Sequence, residues 1–289
     1  MERTSRTPAD LVINPRNVKL GRGQRCQRWW KHGDPVATAF YNSLSIVFPE
    51  GEAFFIESVR HYRDSVPPTL QAQIDAFIKQ EAVHSREHAY FNKRVREAGY
   101  DTSSMDAELA DWRAEAKAGP ADVNLAITVA TEHLTAIIAH AFLASDRHFK
   151  HDSAESTRLW RWHALEEIEH KAVAYDTFVA VTQELIGYQR WKFRSLVLLM
   201  VTGEFLSERV RFMSRLFTQD GINKPAIWIR ACWYLLVYPG LVRQVLPAWL
   251  SFFRPNFHPW QQDDRGLIAA HESTLALRMV GQSDAGPEA

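Results

Sequence analysis

The chain has 289 residues, 46% of them hydrophobic and 24% charged, with 34 Lys and Arg balanced by 34 Asp and Glu. A net charge of zero leaves no global field to hold a polyanion, which excludes a general nucleic-acid binder. The two cysteines, Cys26 and Cys232, are too few for a disulfide framework; they suit a reducing, cytoplasmic setting and turn any metal site toward the 12 histidines and the carboxylates.

Residues 1–35 are polar and basic without an apolar h-region, so they read as a loose arm and not as a secretory signal. From Ala37 the apolar spacing is helical for most of the chain and predicts an all-α fold, with helices near 37–48, 52–65, 69–98, 105–118, 122–145, 155–184, 187–218 and 224–253. Pro49 and Gly51 divide the first pair, Gly99 closes the third, and Gly119-Pro120 precedes the fifth, where Asp122 reads as the N-cap. Ser153 and Ser156 are the capping candidates of the sixth. The division expected is an arm (1–35), a metal-binding helical bundle (36–185), aromatic-rich C-terminal helices (186–260) and a polar tail (261–289).

Two Glu-x-x-His motifs, Glu81 to His84 and Glu167 to His170, carry the chemistry. Chance supplies about one such pair in a chain of this composition, so context decides. Residues three apart share a helix face, and a bundle metal site combines two such helices with one Glu from each of two others. Glu132 sits in the apolar row Leu125, Val129, Glu132, Ala136, where a lone carboxylate costs several kcal/mol unless it is paired or metal-bound. The fourth carboxylate is Glu52, in line with Phe55, Val59 and Tyr62, or Glu57, which shares its face with Arg60, His61 and Asp64; periodicity favours Glu52. The order Glu, Glu-x-x-His, long connection, Glu, Glu-x-x-His fits a ferritin-like four-helix bundle with additional C-terminal amphipathic helices.

In the C-terminal third the longest uncharged run, Ala231 to Val242, is too short to cross a bilayer. Basic residues alternate there with Trp, Phe and Leu. The first reading is that these helices cover the bundle; the alternative is peripheral membrane contact through residues 186–255, on the inner face of the membrane.

The segments PEGEAFF (49–55), QEAVHSREH (80–88), ATEHLTA (130–136), WHALEEIEHKAVAYD (162–176) and RPNFHPW (254–260) resemble the predicted metal-dependent hydrolases, a bacterial family of ferritin-like arrangement, over roughly 35–265. The acids and histidines also resemble those of di-iron carboxylate proteins. That resemblance implies Glu52, Glu81, His84, Glu132, Glu167 and His170 as ligands of two metal ions, with iron expected first and manganese or zinc as alternatives. Glu87, His88, His133, His163, Glu166 and Glu169 crowd the site; Glu166, His163 and His88 are the candidates for catalysis. RPNFHPW reads as a turn anchoring the C-terminal helices, with His258 as a site residue the minor alternative. The activity expected first is dioxygen-dependent oxidation of a small apolar or lipid-like substrate, fed by a redox partner. The alternative is hydrolysis by metal-activated water, as the family label implies, and the third reading is metal binding without catalysis. A homodimer is a further expectation.

Overall fold

A computed structural model describes residues 7–23, 26–152 and 154–280. The helix α1 (Pro35–Arg60) starts where Asp34 Oδ1 accepts from Val36 N at 2.7 Å and Pro35 supplies a preset φ. It was expected to break at Pro49, yet it runs through. Pro49 cannot donate to the carbonyl of Ser45, and Asn92 Nδ2 takes over that carbonyl at 2.8 Å. Ser85 Oγ donates to the Pro49 carbonyl at 3.2 Å, so the helix at the proline is supported from the neighbouring helix.

That neighbour is α2 (Pro68–Glu97), followed by α3 (Ser103–Lys117), α4 (Ala121–Ala144) and α5 (Ala154–His170). Asp122 lies in the first turn of α4, with Pro120 at the cap position. The side chains of Ser153 and Ser156 lie outside the described residues. The long helix expected over 155–184 ends at His170, and α6 (Val173–Val181) begins after a two-residue break. Beyond α7 (Gly187–Gln219), the single helix expected over 224–253 is two, α8 (Pro225–Leu236) and α9 (Leu241–Ser251). Gly240 separates them with φ +75°, where an added Cβ would meet Val237 O at 2.6 Å. The tail is also more ordered than expected: α10 (Arg265–Val280) packs on α5, with Leu267 and Ile268 against the core. No strand occurs among the described residues.

Two apolar layers organise the packing. One takes Phe40 and Leu44 of α1, Phe91 of α2, Phe142 of α4 and Leu165 of α5. The other takes Phe54 and Val59 of α1, Ile74 and Phe77 of α2, Leu125 and Val129 of α4, and Val173 and Phe178 of α6. In chain order α1 passes from the first layer to the second, α2 and α4 from the second to the first, and α5 with α6 back again. Hence α2 and α4 run in the same sense, opposite to α1 and α5, and the connection carrying α3 joins the two parallel helices. α7 spans both layers through Leu198 at one end and Phe212 and Phe217 at the other. α4 is long and apolar enough to cross a membrane, but 72% of its apolar window is buried in the protein, as befits a core helix.

The Asn92 prop is testable. Asn92→Ala leaves the Ser45 carbonyl without its side-chain donor and the Ser45 hydroxyl without its acceptor inside the core, and denaturant unfolding is expected to show a loss of about 1–3 kcal/mol. An unchanged midpoint would mean that α1 carries Pro49 unaided.

Candidate metal centre

Between the two apolar layers every bundle helix turns a polar group inward: Glu52 from α1, Glu81 and His84 from α2, Glu132 from α4, and Glu167 and His170 from α5. None of the six is more than 4% exposed. His170 Nε2 lies 3.2 Å from Glu81 Oε1, 3.4 Å from Glu132 Oε2 and 3.6 Å from Glu167 Oε1. His84 Nδ1 lies 3.5 Å from the same Glu81 oxygen and 3.6 Å from the same Glu167 oxygen. Glu81 and Glu167 therefore stand between the two imidazoles. Glu52 approaches from the other side, 3.7 Å from His163 Nε2.

Three sets of donor atoms, each spanning no more than 4.8 Å, come together: Glu81, His84 and Glu167; Glu81, Glu132 and His170; Glu52, His84 and His163. Both oxygens of Glu52, Glu81 and Glu132, together with Glu167 Oε2, His84 Nδ1 and His170 Nε2, make no hydrogen bond. Buried polar atoms are almost always bonded, and an unmet one costs about 1–3 kcal/mol, more when charged. A cluster of unmet oxygens and imidazole nitrogens, with no thiolate, is a donor set that fits a hard or borderline divalent cation.

The outward-facing nitrogens are fixed. His84 Nε2 bonds Glu166 Oε2 at 2.9 Å, which turns Nδ1 toward the carboxylates. His170 Nδ1 donates to Gln80 Oε1 at 2.9 Å, and Gln80 Nε2 donates to Glu169 at 2.8 Å, leaving Nε2 to face inward. Glu166 and Glu169 are held in turn by Arg16, at 3.2 and 2.7 Å. A second line of bonds sets His163. Asn92 donates to Ser45 O, so its Oδ1 must accept the Ser45 hydroxyl proton at 2.7 Å. Ser45 Oγ then accepts from His88 Nδ1 at 2.8 Å, His88 Nε2 accepts from His163 Nδ1 at 2.7 Å, and a lone pair is left on His163 Nε2. That lone pair faces Glu167 Oε1 at 2.8 Å: two acceptors that only a proton or a metal ion between them can reconcile.

The other sequence candidates fall elsewhere. Glu57 is a third exposed and pairs with Arg113 at 2.6 Å, so Glu52 is the α1 carboxylate in the cluster. Glu87 is occupied by Leu20 N and Arg22 of the N-terminal arm. His133 packs against the rings of Phe252 and Phe257, tilted to the first and edge-on to the second, and belongs to none of the three donor sets. His258 bonds Asp176 at 3.0 Å and accepts from Trp260 N, which makes RPNFHPW an anchor. Arg16, Gln80, Ser45 and Asn92 were not anticipated. Gln80 had a signal, since it shares a helical row with Phe77 and His84; Arg16 had none, because the arm has no periodicity. The arm was expected to be loose, but Arg16, Val18 and Leu20 tie it to α2 and α5.

Charge follows burial here. Without metal, burial pushes Glu81 and Glu132 up to about 8, with Glu167 adding repulsion and His170 opposing it, and it raises Glu52 well above the carboxylate range. Burial would raise Glu167 as well, but His170 and His163 overcome it and hold Glu167 well below. Burial works against charge on His170, yet Glu132 and Glu167 raise it well above the usual imidazole value.

A family model described as predicted metal-dependent hydrolase matches residues 14–263. Searches of curated proteins and of solved structures returned no match.

The raised carboxylates set a pH dependence. Above about pH 7 the buried histidines of lowered pKa, His88, His133 and His163, are mostly neutral in both folded and unfolded chains, and they and Lys31, which burial lowers to about 8, oppose the trend only weakly. Glu81 and Glu132 still keep protons that the unfolded chain has released. The stability they contribute is present at low pH and is lost as pH rises through about 8. Metal-free protein should therefore be less stable and melt at a lower temperature at pH 8 than at pH 7, losing about 1 kcal/mol for each of these two carboxylates, and added divalent metal should reverse the trend. Calorimetry at the two pH values checks this; a metal-free protein that gains stability over that interval would contradict it.

Proposed function

We propose, from the premise that this chain belongs to the predicted metal-dependent hydrolases, that its buried carboxylate and imidazole cluster binds metal and cleaves a substrate with water. The observation that carries the reading is the set of inward-facing donors without hydrogen bonds on α1, α2, α4 and α5. A divalent ion held there would supply a water of lowered pKa and polarise a carbonyl or phosphoryl oxygen.

The chain's own residues divide the remaining work. Glu52, Glu81, His84, Glu132, Glu167 and His170 would hold the metal, with Glu81 and Glu167 standing between the two imidazoles. Of the three catalytic candidates, His163 is the one whose lone pair faces the cluster. Burial, reinforced by the neighbouring His84 ring, holds it below the usual imidazole pKa, so Nε2 stands unprotonated near neutral pH. It takes the proton of the attacking water and returns it to the leaving group as the substrate bond breaks. His88 keeps His163 in that tautomer, and Glu166 orients His84. The carboxylate-rich donor set also suits iron, so dioxygen chemistry on an apolar substrate, with a redox partner, is the second reading. The family description places hydrolysis ahead of it.

The full chain, loaded separately with zinc, manganese and iron, is assayed on chromogenic carboxylic esters and phosphoesters. Hydrolysis is expected that a chelator abolishes and metal restores. Glu132→Ala should lose metal and activity together, whereas His163→Gln should keep its metal and lose about 10²–10⁴-fold in kcat. Inertness toward every ester, with dioxygen uptake by the reduced iron form, would overturn hydrolysis in favour of the second reading.

A further inference from the structure

The charge balance of the chain is uneven along its length. Residues 186–255 hold ten Lys and Arg against three Asp and Glu, and no acidic residue occurs between Asp220 and Asp263. Large exposed apolar side chains concentrate in the same stretch. On α8 and α9 the outward side is apolar: Ile229 is 71% exposed, Trp233 62%, Leu250 54%, and Leu236 and Leu246 are close behind at 47%. Exposed cations, Lys224, Arg230, Arg243 and Arg254, are interspersed with them. Arg230 reaches Asp34 only at 3.4 Å, and Arg243 bonds the Val237 carbonyl. Inward, Ile227, Ala231 and Leu241 belong to the core, so the two helices are seated on the protein by one side and unpartnered on the other.

We propose that the outer face of α8 and α9 docks on a bilayer containing anionic lipid, lying in the headgroup region without crossing it. The two helices meet at a bend of 52°, and neither is long enough by itself to cross a membrane. α8 has 12 residues and α9 has 11, each about 18 Å long or less against a hydrocarbon core of about 30 Å. An apolar side edged by Arg and Lys with no acid among them is what an interfacial helix presents: the apolar groups enter the acyl boundary and the cations meet headgroup phosphates. Exposed Trp233 and Tyr238 have the amphipathic rings favoured at that depth. A second copy of this chain is a poorer occupant, because two-fold pairing would set like charges against one another.

The test is flotation of the full chain with vesicles of phosphatidylcholine alone or of phosphatidylcholine mixed with phosphatidylglycerol. The protein should float with the anionic vesicles and stay behind with the neutral ones, and added salt should weaken the association. Arg230→Glu with Arg243→Glu should reduce partitioning about fivefold or more for each cation reversed, and Trp233→Glu with Leu236→Glu should abolish it. Circular dichroism, expected unchanged, and melting temperature, expected unchanged for Trp233→Glu with Leu236→Glu and slightly lowered for the arginine pair that gives up its Asp34 and Val237 contacts, separate loss of binding from loss of fold. Wild-type protein that stays at the bottom with both vesicle types overturns the proposal. So does flotation that survives Trp233→Glu with Leu236→Glu, or a wild-type dimer in sedimentation equilibrium that the same pair converts to monomer.

Discussion

Four carboxylates sealed into a dry layer between two apolar cores are the constraint on which the rest of this fold depends. Each would cost several kcal/mol as an unpaired buried charge, and the three imidazoles within reach, His84, His163 and His170, are too few to neutralise them all. The metal-free protein meets the problem by leaving Glu52, Glu81 and Glu132 protonated and opposing His170 to Glu167. Bound cations would solve the same problem more completely, because they would supply charge and partners at once. The helix directions follow the layer. α1, α2, α4 and α5 all cross it with apolar residues on both sides, so sliding any one of them would push a carboxylate into hydrocarbon.

Orientation comes from outside the layer. Arg16 anchors Glu166 and Glu169, Glu166 turns His84, and Glu169 acts through Gln80 on His170. The N-terminal arm is thus structurally part of the centre although it contributes nothing to the inner cluster. α10 joins the same network through Glu272, 3.0 Å from Arg16. On the opposite side Asn92 serves twice, donating to the Ser45 carbonyl that Pro49 leaves open and fixing the direction of the bonds that run through Ser45 and His88 to His163.

The inner cluster could be read from sequence because helical spacing and burial are both local signals. Glu132 stood out as an acid in an apolar row, and Glu52 was separable from Glu57 by the company each keeps around the helix. The all-α class followed from the same periodicity. What escaped was set by tertiary contact. Pro49 looked like a break because its missing N–H is visible in sequence, whereas Asn92, which compensates for it, lies 43 residues away. Arg16 has no pattern around it and gains its role only where the arm meets α5. The break at Gly240 was hidden inside a run of Trp, Tyr and Leu that reads as one helix. In α10, Leu267 and Ile268 are too few to outweigh a polar surround until the core they touch is known.

That metal belongs in the polar layer is the claim from which hydrolysis, the pH dependence and the roles of Arg16 and Gln80 all follow. It is tested most directly by anomalous diffraction from crystals of the full chain grown with manganese or zinc. The expected result is anomalous density in the layer, within bonding distance of His84 Nδ1, His170 Nε2 and the oxygens of Glu81 and Glu167. An ordered layer without such density, its carboxylates paired to one another through shared protons, would contradict it.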